Sequence, residues 1–164
     1  GLFNAQGELI GITNAGDEED QNINYAVPLE IVRGVADNIY HYAADGDEST
    51  NGAYIPSFGA SYNASNSRYV YDSASASGKI VEDIEVRSVE SGSVAAALGL
   101  QAGDVITSLT LGDAEYTLGR SYNIADILLS ARAGDAISCT YTRGGESAES
   151  GSYTLSQGDL ASLA

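Results

Sequence analysis

"SVAAALGLQAGDVITSL" (Ser93–Leu109) decides how this chain is read. Small residues run from Val94 to Ala97, and Gly99 follows Leu98 as a left-handed helix stop. Gly103-Asp104 then supplies a sharp corner into the apolar run "VITSLTL". A short helix of one or two turns, a corner and a strand are therefore expected in that order.

The same vocabulary continues on both sides. In "IEVRSV", Ile84 and Val86 alternate with Glu85 and Arg87, the period of a half-buried strand. Beyond Leu111, Gly112-Asp113 turns the chain back into "AEYTL", and Ile124 to Ala131 read as a second helix. Ala133–Asp135 repeats the Ala-Gly-Asp corner, "AISCTYT" is a strand, Gly144-Gly145 opens a turn and "GSYTL" returns. No fixed-period repeat is present, so the two corners are local turn chemistry. Upstream, "AYIPSFGASY" opens the module, and Ser61 to Gly78, rich in Ser, Asn and Ala, reads as a loop or a lid carrying Tyr62, Tyr69 and Tyr71.

An earlier module has a different texture. Leu2, Phe3, Leu9, Ile10 and Ile12 flank "NAQGE", with Gly7 placed for positive φ, a β-hairpin pattern. "NAGDEEDQN" reads as a loop, "INYAVP" as a short strand stopped by Pro28, and "LEIVRGVADNIYHY" as an amphipathic helix. "AADGDESTNG" has no periodicity and serves as a linker. The expected organisation is a first module at 1–42, a linker at 43–52, a second module at 53–155 and a tail at 156–164.

Composition narrows the function. Seven Lys and Arg against 23 Asp and Glu leave the 164-residue chain at a net charge of −16, which opposes phosphate backbones and anionic membranes, so no nucleic acid is expected as a partner. No apolar run approaches the roughly 18 residues of a helical membrane span. One Cys and one His neither close a disulfide nor build a usual zinc site, so no metal and no cofactor is expected. The chain starts with Gly inside a strand pair and reads as a piece of a longer protein.

Short strands, two helices and Gly-Asp corners in this order resemble a PDZ domain in the permuted strand order of bacterial proteases, over Ala53 to about Leu155. "GSVAAALGLQAGDVITSL" is similar to the family's A-G-L-x-x-G-D-x-I run, with Leu98 in the usual alanine place, and "SFGA" (Ser57–Ala60) to its x-Φ-G-Φ carboxylate-binding loop. The first module resembles the end of the protease domain in HtrA/DegP-like trypsin-fold serine proteases. Leu2, Asn4, Gly7, Glu8, Ile10, Gly11 and Ile12 carry the first part of that resemblance, and Tyr25-Ala26-Val27-Pro28 the second. The fold class implied is mixed α+β, mainly β: a PDZ-like partly open β-barrel or sandwich with two helices, preceded by a β-hairpin and helix from the end of a trypsin-like barrel.

Serine-based peptide hydrolysis needs a nucleophile, an imidazole base and an oxyanion hole. The resemblance places the serine just upstream of Gly1 and the His and Asp earlier still, so no catalytic residue is expected in this chain and the piece alone should be inactive. His41 reads as a solvated residue beside a helix C-terminus. Asn24 and Tyr25 are, by the resemblance, a wall of the substrate pocket; the alternative is a buried strand whose Tyr25 fills core. "DEED" (Asp17–Asp20) lacks the alternating spacing of a calcium loop and reads as a solvated, self-repelling loop.

The resemblance also implies a groove that takes a peptide C-terminus as an added strand. Phe58, Gly59 and Ala60 would supply amides to its carboxylate, Ala60, Ser61 and Tyr62 the pairing edge, and Ile124 and Leu128 the apolar wall, with Phe58 as floor. The other reading makes Phe58, Ile124 and Leu128 simple core. No Arg or Lys occurs between Ser49 and Asn66, and Arg68 is the nearest stand-in for a basic helper.

The expected function is the peptide-binding PDZ region of an HtrA-like serine endopeptidase that recognises hydrophobic C-termini of peptides or unfolded proteins in protein quality control. The alternatives are a non-catalytic PDZ adaptor or scaffold, and a spacer with a blocked groove. The resemblance further implies homotrimers built through the protease domain, and a place in the bacterial cell envelope or outside the cell, with a membrane anchor upstream.

Overall fold

The computed structural model describes residues 1–16, 24–43, 54–73 and 77–162. Both "DEED" and most of the expected linker lie outside the described residues. The chain divides into two compact units, Gly1–Tyr54 with the residues from Ser162 onward, and Ile55–Ala161. Mainly β, with three helices and open sheets, the described residues form no closed barrel, and no helix among them is long and apolar enough to cross a membrane.

In the first unit, β1 (Leu2–Phe3), β2 (Leu9–Gly16) and β3 (Asn24–Pro28) form an antiparallel sheet, and α1 (Leu29–Ala43) follows directly. The hairpin exists because Asn4 organises its turn: the Asn4 Oδ1 accepts the N–H groups of Gln6 at 3.0 Å and Glu8 at 2.9 Å. Gly7 sits at φ 80°, as expected. Gly11 is required by close approach, since a Cβ there would lie 2.7 Å from the Val27 carbonyl oxygen. Pro28 ends the strand, and its fixed φ suits the start of α1. On α1, Ile31, Val32, Val35 and Ile39 join Ile12 and Val27 around an open hollow of about 320 Å³. Asn38 is fully buried and bonds twice to the Tyr54 backbone, at 2.6 and 2.8 Å. The expectation that Tyr25 fills core is corrected: it is 56% exposed.

The second unit begins within β4 (Tyr54–Pro56). Its elements continue as β5 (Ala60–Asp72), β6 (Ser77–Val89), α2 (Val94–Ala97), β7 (Val105–Leu111), β8 (Ala114–Thr117), α3 (Asn123–Leu128), β9 (Ala136–Arg143), β10 (Glu146–Glu149), β11 (Tyr153–Thr154) and β12 (Leu160–Ser162). The main sheet runs β10-β9-β7-β6-β5, with β8 also on β7 and β11 also on β9, so β5 stands at the sheet's end. Ile84, Val86, Ile106, Leu109, Ile137 and Leu155 are almost fully buried at its centre. The small residues at the start of α2 have a packing reason: Val94 and Ala95 are fully buried and Leu98 nearly so, and a larger side chain at Ala95 would hold α2 away from the sheet.

Most of the described residues between Ser61 and Gly78 are strand rather than loop. β5 pairs with β6 along both strands, Tyr69 opposite Ile80 and Tyr71 opposite Gly78, as a long antiparallel ribbon. Tyr69 (66%), Tyr71 (59%) and Ile80 (48%) remain exposed. Over its outer part, Arg68–Tyr71 against Gly78–Val81, the ladder satisfies the backbone without a buried face, which is why a Ser- and Asn-rich composition concealed it. A bulge between Ser65 and Arg68 places Asn66 at φ 51°, a conformation Asn tolerates. Residues 156–161, expected as a tail, carry a 3-10 turn at Gln157–Asp159 and the start of β12. The Ser57 N–H donates to the Asp159 carbonyl at 2.8 Å, so both ends of the unit are tied together.

Candidate functional site

The segment between β4 and β5 is built by α2. The Phe58 carbonyl accepts the Ala95 N–H at 2.9 Å, and the Gly59 carbonyl accepts the Glu90 N–H at 2.8 Å and the Ser93 hydroxyl at 3.2 Å. No peptide bond among the described residues is cis. In a trans peptide the C=O and the next N–H point in opposite directions. The carbonyls turned toward α2 and the β6–α2 turn therefore aim the Gly59 and Ala60 N–H groups away from them. The N–H groups of Phe58 and Gly59 donate to no acceptor among the described residues.

Strand register extends the pattern. The Glu90-to-Gly59 bond makes Ala60 and Val89 a non-hydrogen-bonded antiparallel pair. In such a pair the Ala60 N–H and C=O face outward, here to the open side of β5. Gly59 stands at φ 69°, and a Cβ built on it would land on the Ser93 side chain, so the position excludes other residues twice over. Ser61 is exposed and shares a 2.7 Å hydroxyl contact with Ser88.

Apolar residues assigned to this site lie deeper. Phe58 (6%), Ile124 (2%) and Leu128 (3%) belong to the unit's continuous core, with Ala60 and Tyr62 packed against it. α3 is fixed at its start by Asn123, whose Oδ1 accepts the Gly119 and Arg120 N–H groups at 3.2 and 2.9 Å. Tyr62 lies 6.2 Å from Phe58, ring centre to ring centre, and its hydroxyl is buried with no partner among the described residues. Burial, and secondarily the nearby Cys139, push the Tyr62 phenol's pKa upward.

Arg68 bonds to Asp83 at 2.8 Å and to the Asn66 carbonyl, eight residues beyond Ala60 on the ribbon, so it does not stand in for a helper at the loop. Glu90 and Asp159 border a small polar hollow beside Ser57 and Ser93. Asp104 is nearly fully buried, and Arg143 grips it through Nε and Nη2 at 2.7 Å each while donating a further bond to the Gly99 carbonyl. The Arg143 hydrogen bonds hold the Asp104 carboxyl below its usual pKa, against burial.

Remaining candidates are dispersed. Asn24 and Tyr25 lie on β3, and His41 is exposed near the end of α1, edge-on to Tyr42 at 4.8 Å. Cys139 is buried, which raises its thiol pKa to about 11. Among the described residues no group of three or more His, Cys, Asp or Glu side chains is placed to hold a metal. Sequence reasoning missed Ser93 as a site residue, although a Ser directly before a small-residue helix is an N-cap signal, and its hydroxyl accepts the Ala96 N–H at 3.2 Å.

No protein-family model matches the chain. It is 32% identical over 154 residues to the "Serine protease Do-like HtrA" of Lactococcus lactis subsp. lactis (strain IL1403), covering 89% of this chain and 35% of that protein. The protein of the same name from L. lactis subsp. cremoris (strain MG1363) is 31% identical over 155 residues, covering 90% and 35%. The chain thus spans about a third of the length of the curated relatives it matches. The solved structure titled "HtrA-type protease AlgW with decapeptide" shares its fold, with TM-score 0.56 and 22% identity over 93% of this chain and 43% of that one.

Proposed function

Along nearly all of its length this chain is related to HtrA serine proteases, and from that premise we propose that its second unit is the PDZ domain of an HtrA-like serine endopeptidase. It captures hydrophobic peptide C-termini and passes them to a catalytic barrel carried elsewhere in the whole protein. The guest's carboxylate accepts hydrogen bonds from the amides of Phe58, Gly59 and Ala60. Its backbone pairs with β5 through Ala60, Ser61 and Tyr62, and its side chains meet Ile124 and Leu128. The observation that carries this reading is the pair of N–H groups at Gly59 and Ala60, aimed away from α2 and the turn before it, with Ala60 at the start of an end strand.

In this reading the first unit is the end of the protease domain, Asn24 and Tyr25 border its substrate pocket, and the chain alone is inactive, since its single His lies near the end of α1. The whole protein acts in quality control in the cell envelope, anchored and trimeric through its other part. Titrating the chain with a ten-residue peptide ending in apolar residues, as free acid and as C-terminal amide, tests the proposal: the free acid binds at least tenfold more tightly. Equal affinities would overturn it.

The burial of Phe58, Ile124 and Leu128 favours a second reading, in which the groove is closed and the domain is a spacer. Absence of binding at about millimolar peptide selects that reading.

A further inference from the structure

We infer that Ser93 is a positioning residue for the carboxylate-binding loop, an inference that rests on the peptide-binding reading above. Its hydroxyl sits where three requirements meet. It accepts the Ala96 N–H at 3.2 Å, capping α2, and it is placed to donate to the Glu90 carbonyl at 2.7 Å or the Gly59 carbonyl at 3.2 Å. A hydroxyl has one proton, so the two carbonyls share it. The main-chain bonds on either side work in the same direction: Glu90 N–H on the Gly59 carbonyl, Ala95 N–H on the Phe58 carbonyl.

What this fixes is the orientation of two peptide planes. The plane joining Gly59 to Ala60 is held by its carbonyl end from Ser93 and Glu90, and its free N–H end is the one offered to a carboxylate. Gly59 has no side chain to restrict it and adopts φ 69°, so without the Ser93 contact the plane has more freedom to rotate. The Ser93 side chain also fills the place a Cβ on Gly59 would need, backing the loop from behind. Ser93 thereby links the helix cap to the binding amides, and its effect falls on carboxylate recognition rather than on strand pairing. The guest's ordering of a loosened loop would be subtracted from its affinity.

The probe is a fluorescein-labelled ten-residue peptide of zero net side-chain charge ending in Val-Leu-Val, as free acid and as carboxamide, titrated by fluorescence anisotropy. Ser93→Ala removes the hydroxyl. Ser93→Gly does the same at an N-cap position where Gly is well tolerated, so the folded state is kept if Ala disrupts α2. In both variants the free acid is expected to lose about three- to tenfold in affinity, the range of one hydrogen bond, while the amide changes by less than about twofold. Equal weakening of both peptides assigns Ser93 to helix capping alone and overturns the inference, as does an unchanged free-acid affinity. Failure of the unaltered chain to prefer the free acid overturns the peptide-binding reading itself, and is seen before any variant is made.

Discussion

Replacing Asp104 by Asn tests whether the Gly-Asp corner of the opening stretch is a structural clasp. The Asp104 carboxylate accepts the Gln101 N–H at 2.7 Å and two Arg143 N–H groups at 2.7 Å each. Gln101 and the Arg143 Nη2 share the Asp104 Oδ2, so an Asn whose oxygen stays there keeps an acceptor for both, but it turns an N–H₂ group toward the Arg143 Nε, and that charge-assisted bond and the carboxylate's charge are lost. Such bonds contribute about 1.5–3 kcal/mol in favourable settings. Arg143 is 41% exposed and recovers water when released, which places the net loss near the lower end, about 2 kcal/mol. By urea titration followed by far-UV circular dichroism at pH 7, the midpoint of Asp104→Asn should fall by about 1–2 M.

Proton linkage supplies a second arm. The folded pKa of Asp104 is depressed, so its contribution is fully present above the unfolded value of about 3.9 and is lost as pH falls through the folded value. The gap between the unaltered chain and Asp104→Asn should therefore narrow from pH 5 to pH 2. Coincident midpoints at pH 7, or a gap that stays constant into acid, would refute the clasp.

Three further outcomes follow from single positions. Gly59→Ala places a Cβ on the Ser93 side chain at positive φ, and should reduce free-acid peptide affinity by about tenfold or more in the same anisotropy titration; unchanged affinity would mean that the loop does not touch the guest. With Arg68 held by Asp83 away from the loop, peptide affinity should not fall by more than about twofold between 50 and 500 mM NaCl; a steep loss of affinity with added salt would point to a cation in the site. Cys139, buried with its pKa raised to about 11, should react with a thiol reagent at pH 8 only after denaturant is added, and rapid native labelling would contradict its placement.

Local chemistry was legible and long-range pairing was not. Asn4 and Gly7 announce their hairpin, Gly99 stands at the positive φ expected of a helix stop, and the strand at Val105–Leu111 matches its apolar run, because each is decided within a few residues. α3 stops at Leu128 rather than Ala131, because the Ala131 N–H already bends to the Leu128 carbonyl in preparation for the next corner. The β5–β6 ribbon depends on Arg68 meeting Val81 and Tyr69 meeting Ile80, partners set by register rather than by composition. β10 was missed because its short polar run has no signature apart from its turn. The amides proposed for the loop were read from a short motif, whereas Ser93, thirty-odd residues later, touches both the Gly59 carbonyl and the start of α2 with one oxygen and carries no motif that links it to them.

One turn device recurs and connects the opening stretch to the site. Gln101-Ala102-Gly103-Asp104, Arg132-Ala133-Gly134-Asp135 and Ser156-Gln157-Gly158-Asp159 each end in Asp whose Oδ2 accepts the first residue's N–H, at 2.7, 2.8 and 2.7 Å. In each the Asp N–H returns to the first residue's carbonyl, and a strand begins at the next residue: β7, β9 and β12. The third was not apparent as a corner because Gln stands where the others have Ala. The corners set where strands start. At the first of them Arg143 on β9 also reaches the Gly99 carbonyl at the end of α2, so the short helix is held at its C-terminal side by the same clasp that holds the strand. A helix of four residues has little stability of its own. Held there, α2 can present the Ala95 N–H and Ser93 hydroxyl at a fixed place, and the amides before β5 inherit that place. On this account, loosening Arg143 should disturb the loop only through α2, whereas loosening Ser93 disturbs it directly.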